Sequence, residues 1–262
     1  MSTPSVTSKD GTSIAFDRLG NGPAVVLVGG ILGDRSQQAP VAELLAARFT
    51  VFNYDRRGRG ESGDTPPYAV AREFEDLEAV IDAAGGSAMV YGTSGCAILA
   101  LEAAAHGRAS KIAKLALWEP PYIIAGSRPP PPRDYQAQLR ELLSQGRRGD
   151  MVELFMTQAV GMPAEIVGQM RSAPWWPAQE ALAPTLIYDA AIVGDYSIPT
   201  ERLASVTVPT LVIDGGETPW LSQSARAVAE AFPNARRHTL KGQPHNVAPE
   251  AIAPILEEFF AG

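Results

Sequence analysis

Residues 87–105 constrain the fold more than any other stretch. Ser87-Ala88-Met89-Val90-Tyr91 is a short apolar run, and Ala97-Ile98-Leu99-Ala100-Leu101-Glu102-Ala103-Ala104-Ala105 is rich in good helix formers. Between them lie only small residues, Gly92-Thr93-Ser94-Gly95-Cys96. The pattern predicts a strand, a sharp turn and a helix. Small residues permit the unusual dihedrals that such a turn demands. Ser94 would then sit at the carboxyl end of a strand, beside the first amides of a helix, where negative charge is favoured.

The same alternation recurs along the chain. Pro23–Val28, Phe49–Asp55, Ala113–Trp118, Val208–Ile213 and Arg236–Leu240 read as further strands. Val41–Arg48, Phe74–Ala84, Ser222–Phe232 and Pro249–Phe260 read as helices between and after them. Ser5–Asp17, around Asp10-Gly11-Thr12, carries a hairpin signal. Strands alternating with helices imply an α/β fold with a mostly parallel, doubly covered sheet. Ligands of such sheets bind beyond the carboxyl ends of the strands.

Residues 122–200 break the pattern. Pro129-Pro130-Pro131-Pro132 suits neither helix interior nor central strand. After it come helical segments at Tyr135–Gln145, Met151–Val160 and Ala181–Ile192, with Pro174-Trp175-Trp176-Pro177 among them and no strand-like run. The expected organisation is a core of residues 1–121 and 201–262 with a helical cap or lid, residues 122–200, inserted between.

Composition excludes several function classes. The 262 residues are 45% hydrophobic and 19% charged, an ordinary globular balance. A formal net charge of −7 without a dense Lys/Arg run argues against a nucleic-acid partner. One cysteine precludes an internal disulfide and suits a reducing compartment. No signal-peptide pattern opens the chain, and no apolar stretch reaches the roughly 18 residues a bilayer span needs. A cytoplasmic protein is expected, monomer or homodimer, with no membrane partner. No His/Cys cluster suggests a metal; Asp189 and Asp195 lack the spacing and chemistry of a metal site.

Gly92-Thr93-Ser94-Gly95-Cys96 resembles the G-x-S-x-G nucleophile elbow of the α/β-hydrolases, with Cys96 in the last small position. Three other segments support the resemblance in the right order. Tyr54-Asp55-Arg56-Arg57-Gly58-Arg59-Gly60-Glu61-Ser62 is similar to that family's Y-D-x-R-G-x-G-x-S turn, Val208–Gly215 to its penultimate strand, and Gly242-Gln243-Pro244-His245 to its histidine loop. The closest likeness is to small serine esterases, lactonases and haloperoxidase-like members. This resemblance implies Ser94 as nucleophile. Of three histidines, His106 reads as a helix end and His238 lies within a strand. His245 sits in a loop after the last strand and is the expected general base.

The acid is less direct. Where the family usually carries it, after the penultimate strand, this chain has Thr218 in Asp214-Gly215-Gly216-Glu217-Thr218. Some members place it at the end of the preceding strand, here Glu119, where a buried carboxylate needs a partner. Glu119 is the expected acid, with Glu217 and Asp214 as alternatives. The resemblance also implies an oxyanion hole from the backbone amides of Ile31 and Gly95. Gly30, Trp175, Trp176, Tyr188 and Trp220 are candidates for lining a substrate pocket. Asp55 and Arg57 are expected to fix their turn, and Cys96 to pack. The expected activity is hydrolysis of a small-to-medium, largely apolar carboxylic ester or lactone through an acyl-enzyme, without cofactor. Alternatives are a carbon–carbon hydrolase or a cofactor-free biosynthetic enzyme on the same scaffold, and a non-catalytic ligand receptor.

Overall fold

The computed structural model describes residues 3–262, apart from the side chains of residues 108 and 109. Eight strands form one sheet: β1 (Ser5–Thr7), β2 (Ser13–Leu19), β3 (Ala24–Val28), β4 (Thr50–Tyr54), β5 (Ala88–Thr93), β6 (Ile112–Trp118), β7 (Thr210–Gly216) and β8 (Ala235–Gln243). Their spatial order is β1-β2-β4-β3-β5-β6-β7-β8. The hairpin strands β1 and β2 are antiparallel to their neighbours, and β4 through β8 run parallel.

Helices α1 (Ala39–Leu45), α2 (Val70–Ala83) and α3 (Gly95–Ala103) cross between strands. The long connection from β6 to β7 carries α4 (Tyr135–Ser144), α5 (Arg148–Leu154), α6 (Ala164–Met170), α7 (Trp176–Leu182), α8 (Leu186–Val193) and α9 (Thr200–Leu203). Helices α10 (Pro219–Ala231) and α11 (Pro249–Ala261) follow β7 and β8.

The apolar strands are explained by burial on both faces. Val26, Val28, Val90, Leu115, Leu117 and Val212 pack on the side of α2, α3 and α8. Their alternates Val25, Leu27, Tyr91, Trp118 and Ile213 pack on the side of α1 and α11. This is the period-two alternation of a pleated strand, with no polar face left over. Every residue of α3 is buried, and each of Ile98, Leu99 and Leu101 contributes about 1.5–3 kcal/mol by leaving water.

Register brings the strand ends to one level. Val28 pairs with Gly92, Thr93 with Trp118, and Trp118 with Ile213. The loops after β3, β5, β6 and β7 therefore emerge side by side.

Two expected elements differ. The helix expected at 181–192 is split by a 3-10 turn, Ala183–Thr185, between α7 and α8. Pro184 has no N–H to donate to the preceding turn. The last strand runs on through Lys241-Gly242-Gln243, expected as loop, because Gly216 pairs with Gln243. A Cβ on Gly215 would lie 1.8 Å from the Gln243 carbonyl oxygen, so only glycine allows that approach.

Candidate active site

Ser94 lies between β5 and α3 with φ 54° and ψ −131°. For a non-glycine residue this is a sparsely populated, strained conformation, and it persists because its surroundings are over-determined. The Ser94 amide donates to the Trp118 carbonyl at 2.8 Å. A Cβ on Gly92 would lie 2.8 Å from the Cys96 carbonyl oxygen and 2.9 Å from Ala97 Cα. Glycine there lets helix and strand close tightly enough to form the turn. A Cβ on Gly95 would lie 2.3 Å from Ile31 Cδ1, so glycine also lets the loop after β3 lean over the start of α3.

Glu119 directly follows β6 and is buried. Its φ of 43° turns the side chain out of the strand direction. One carboxylate oxygen, Oε1, accepts the Gly215 amide at 2.9 Å. The other, Oε2, lies 2.6 Å from His245 Nδ1. His245 Nε2 lies 2.9 Å from Ser94 Oγ. A carboxylate only accepts, so Nδ1 carries the proton that faces it, and Nε2 of the neutral ring accepts from the serine hydroxyl. Trp118 donates its indole N–H to the His245 carbonyl at 2.8 Å and so pins the histidine loop from below. The Tyr91 phenol stays protonated to unusually high pH, first through burial and then through the Glu119 charge.

The structure thus brings Ser94, His245 and Glu119 into one hydrogen-bonded chain, with His245 part-exposed and the acid sealed beneath it. It does not bring the alternative acids there. Asp214 is buried and accepts from Ser222, Arg237 and Thr239 instead. Glu217 is exposed on the loop after β7. His106 Nδ1 faces the Glu102 carbonyl, and His238 is exposed on β8.

Gly95 opens α3, so its N–H has no intrahelical acceptor. Ile31 stands over it in a loop where Leu32 also takes a positive φ, 52°. Gly30 faces the Thr93 hydroxyl, which would sit 3.7 Å from a Cβ placed there.

The aromatic pocket candidates divide. Trp220 lines an open groove with Arg128, whose guanidinium stacks over the indole at 4.7 Å. Trp176 is buried and donates to Glu180, and Trp175 packs on it while 44% exposed. Tyr188 stacks on Tyr68 and donates to Asp64. None of those three lines this groove. Large aromatics at helical spacing serve equally as the packing of small helices, and sequence alone does not separate the two uses.

A group of charges went unanticipated. Arg56 donates to both oxygens of Glu73 at 2.6 and 2.7 Å and to Asp189 Oδ1 at 2.7 Å. Arg59 donates to the same Asp189 oxygen at 2.7 Å. Arg56 Nη1 also points at Cys96 Sγ, 3.0 Å away. All of these side chains are buried. Asp55, by contrast, holds the Arg56–Ser62 turn, accepting from the Arg35 and Glu61 amides. The only signal for the buried group lay in the arginines of the turn after β4; its partner Asp189 is more than a hundred residues away.

The model of the alpha/beta hydrolase family matches residues 25–255. The chain belongs to the alpha/beta hydrolase family. Among solved structures it is similar to an alpha/beta hydrolase from Sphaerobacter thermophilus, with 58% identity, TM-score 0.93, and 98% of this chain and 100% of that one covered. It shares its fold with an esterase from Thermogutta terrifontis at 22% identity and TM-score 0.74, covering 100% of this chain and 98% of the other. Over 81 residues, 29% of this chain, it is 42% identical to the protein named "Probable oxidoreductase EphD" of Mycobacterium tuberculosis, of whose length the match covers only 14%. No described helix of this family member is long and apolar enough to cross a membrane.

Proposed function

We propose that this alpha/beta hydrolase cleaves carboxylic esters or lactones through an acyl-enzyme. The observation that carries the reading is the unbroken hydrogen-bonded chain from Ser94 Oγ through His245 to the buried Glu119. A serine hydroxyl is a weak nucleophile until a positioned base takes its proton. His245 Nε2 is placed to do so as Ser94 Oγ attacks the substrate carbonyl. Glu119 holds the ring and offsets the imidazolium charge that forms. The amides of Ile31 and Gly95 donate to the oxyanion of the tetrahedral intermediate.

As the intermediate collapses, His245 gives its proton to the leaving alkoxide and the acyl group stays on Ser94. Water then attacks the acyl carbonyl, His245 takes its proton, and the proton returns to Ser94 as the acid departs. Residues 122–200 act as the cap over this site. Support for that comes from Tyr135, Phe155, Leu186 and Val193, which gather around Ile31 of the loop after β3.

The test is hydrolysis of short to medium aryl esters and acyl lactones by the wild type beside Ser94→Ala. The reading requires turnover in the wild type and a loss of roughly 10⁴-fold or more in the variant. Equal turnover by both would reject Ser94 as nucleophile, and none by either would move the scaffold to another reaction.

A further inference from the structure

Among the described residues, every arginine that is buried or part-buried is paired with a carboxylate, save one. Arg35 has Asp55, Arg56 has Glu73, Arg57 has Asp76, Arg59 has Asp189, Arg72 has Glu75 and Arg237 has Asp214. Arg128 is part-buried, and its partners are two backbone carbonyls. Its Nε donates to Pro129 at 3.3 Å and its Nη1 to Val160 at 3.1 Å. A guanidinium carries five N–H donors, so both on Nη2 and the second on Nη1 stay free. Burial pulls its pKa below the ordinary arginine range; only the Tyr196 phenol opposes that pull, and no carboxylate does.

This charge stands in the wall of an open groove with about 440 Å³ of space, between residues 128–130, residues 157–161 and the start of α10. Ser94, His245 and Glu119 are not among the residues that line it. The guanidinium is held in place by its stack on Trp220, 4.7 Å from the ring centre, and by the two carbonyls. A donor fork fixed in advance loses little further freedom when it binds. Gly161 takes a φ of 87°, and a Cβ there would lie 3.1 Å from Arg128 Nη2. Glycine thus leaves the space beside the free edge of the guanidinium unfilled.

We propose that this groove binds a small monocarboxylate with an apolar body, its carboxylate on the free edge of Arg128 and its body against Pro129, Pro130, Val160 and Trp220. The inference goes beyond the reading of Ser94 and does not depend on it.

Charge and shape select that class. The wall presents one uncompensated positive charge, which one negative charge balances. A dianion would leave an excess of the opposite sign, and a neutral ligand would cover the charge without pairing it. A planar fork also matches the two oxygens of a carboxylate, which take parallel hydrogen bonds from it. Trp220 is the second residue of α10, whose cap Thr218 makes no side-chain hydrogen bond. The positive end of that helix therefore adds to the same sign of potential. The apolar body is asked for by the rest of the wall. Val160 is 44% exposed, and Pro129 and Pro130 are exposed beside it. A groove of this volume falls in the range that seats small organic ligands.

Calorimetric titration of the intact protein with 4-phenylbutyrate, its primary amide and inorganic phosphate, in a buffer free of carboxylates, tests the assignment. The acid is expected to bind one site per chain, about tenfold or more tighter than the amide, the size of one hydrogen-bonded charge pair, and tighter than phosphate. Arg128→Met keeps an apolar stem over Trp220 and removes the charge, so the preference for the acid should fall toward one. Gln158 lines the groove and is exposed. Gln158→Glu supplies a competing carboxylate and should weaken the acid about tenfold while leaving the amide unchanged, which keeps the test open where Arg128→Met fails to fold. Binding of the acid that neither substitution alters would place the carboxylate elsewhere and overturn the assignment. No binding, or equal affinity for acid and amide, would overturn it as well, and tighter binding of phosphate would overturn the ligand class. The titration involves no turnover, so loss of the ester-hydrolase reading in the Ser94→Ala comparison would leave its outcome untouched.

Discussion

The molecule has two constellations of charge, one part-exposed and one buried, and their members are partnered to different degrees. The Ser94–His245–Glu119 chain joins loops after β5, β8 and β6, and two of its members, Ser94 and His245, remain part-exposed. Both oxygens of its carboxylate are partnered, one by the Gly215 amide and one by His245. The Arg56–Glu73–Asp189–Arg59 cluster joins the sheet core to helix α8 and is sealed on all sides. Yet it leaves Asp189 Oδ2 and two Arg59 nitrogens without partners among the described residues. For the proposed proton transfer, a fully partnered acid keeps the base in one tautomer.

The largest effect that sharpens the contrast is on the first constellation. Glu119→Gln keeps the shape but removes the charge that favours the imidazolium and the tautomer. It is expected to lower kcat by roughly 10³–10⁴-fold with little change in Tm. Glu217→Gln, on the exposed loop after β7, should leave kcat within about twofold. A reversed result in steady-state kinetics would relocate the acid.

The first constellation was legible in sequence and the second was not, for a physical reason. Ser94 is announced by its own neighbours, since a strand, four small residues and a helix former run leave few conformations open. Glu119 stands out as a carboxylate closing an apolar run, and His245 as the histidine in a loop after the final strand. Each signal is local. The register that sets Thr93 beside Trp118 and Trp118 beside Ile213 then brings them together. Asp189 carried no such mark, because a single acid on an apolar helix shows its partner only when the helix is docked. The same limit applies to Trp175, Trp176 and Tyr188, whose size was visible but whose direction was not. Trp118 was read as a strand residue; its indole bond to His245 depends on which face of β6 it occupies.

On the second constellation the prediction is about stability. Arg56→Met removes one side chain that bonds Glu73, Asp189 and Cys96 together. Removing one partner of a buried pair leaves the other charge uncompensated, at a cost of about 3–5 kcal/mol. Denaturant unfolding should show that loss, with the residual folded enzyme retaining kcat on an acetate ester within a few fold. A fall in kcat as deep as that of Glu119→Gln would mean that the two constellations are not separate.

A smaller effect tests how the site is held from the core. Trp118→Phe deletes the indole N–H that bonds the His245 carbonyl and keeps most of the packing on the α1/α11 side. The loop gains freedom, and kcat should fall about tenfold, the equivalent of one neutral hydrogen bond, with KM nearly unchanged. An unchanged kcat would show that Glu119 alone fixes the imidazole.

The smallest effect concerns the residue that touches both regions. Cys96 follows Gly95 in the nucleophile's helix, and its sulfur faces Arg56 Nη1 in the ion cluster. Burial raises its thiol to about 11, against the opposing pull of Arg56. With a pKa above the ordinary thiol range, the thiolate is scarce at neutral pH and the sulfur is enclosed, so alkylation should be slow. Iodoacetamide at neutral pH is therefore expected to leave the proposed ester hydrolysis intact, whereas a serine-directed phosphonate should abolish it. Cys96→Ser replaces the sulfur with a smaller acceptor for the same guanidinium, at a cost of about 1 kcal/mol in unfolding free energy and little in kcat. Rapid inactivation by iodoacetamide, prevented in Cys96→Ser, would show that the cluster opens to solvent on the timescale of the reaction and would place the boundary between the two constellations in motion.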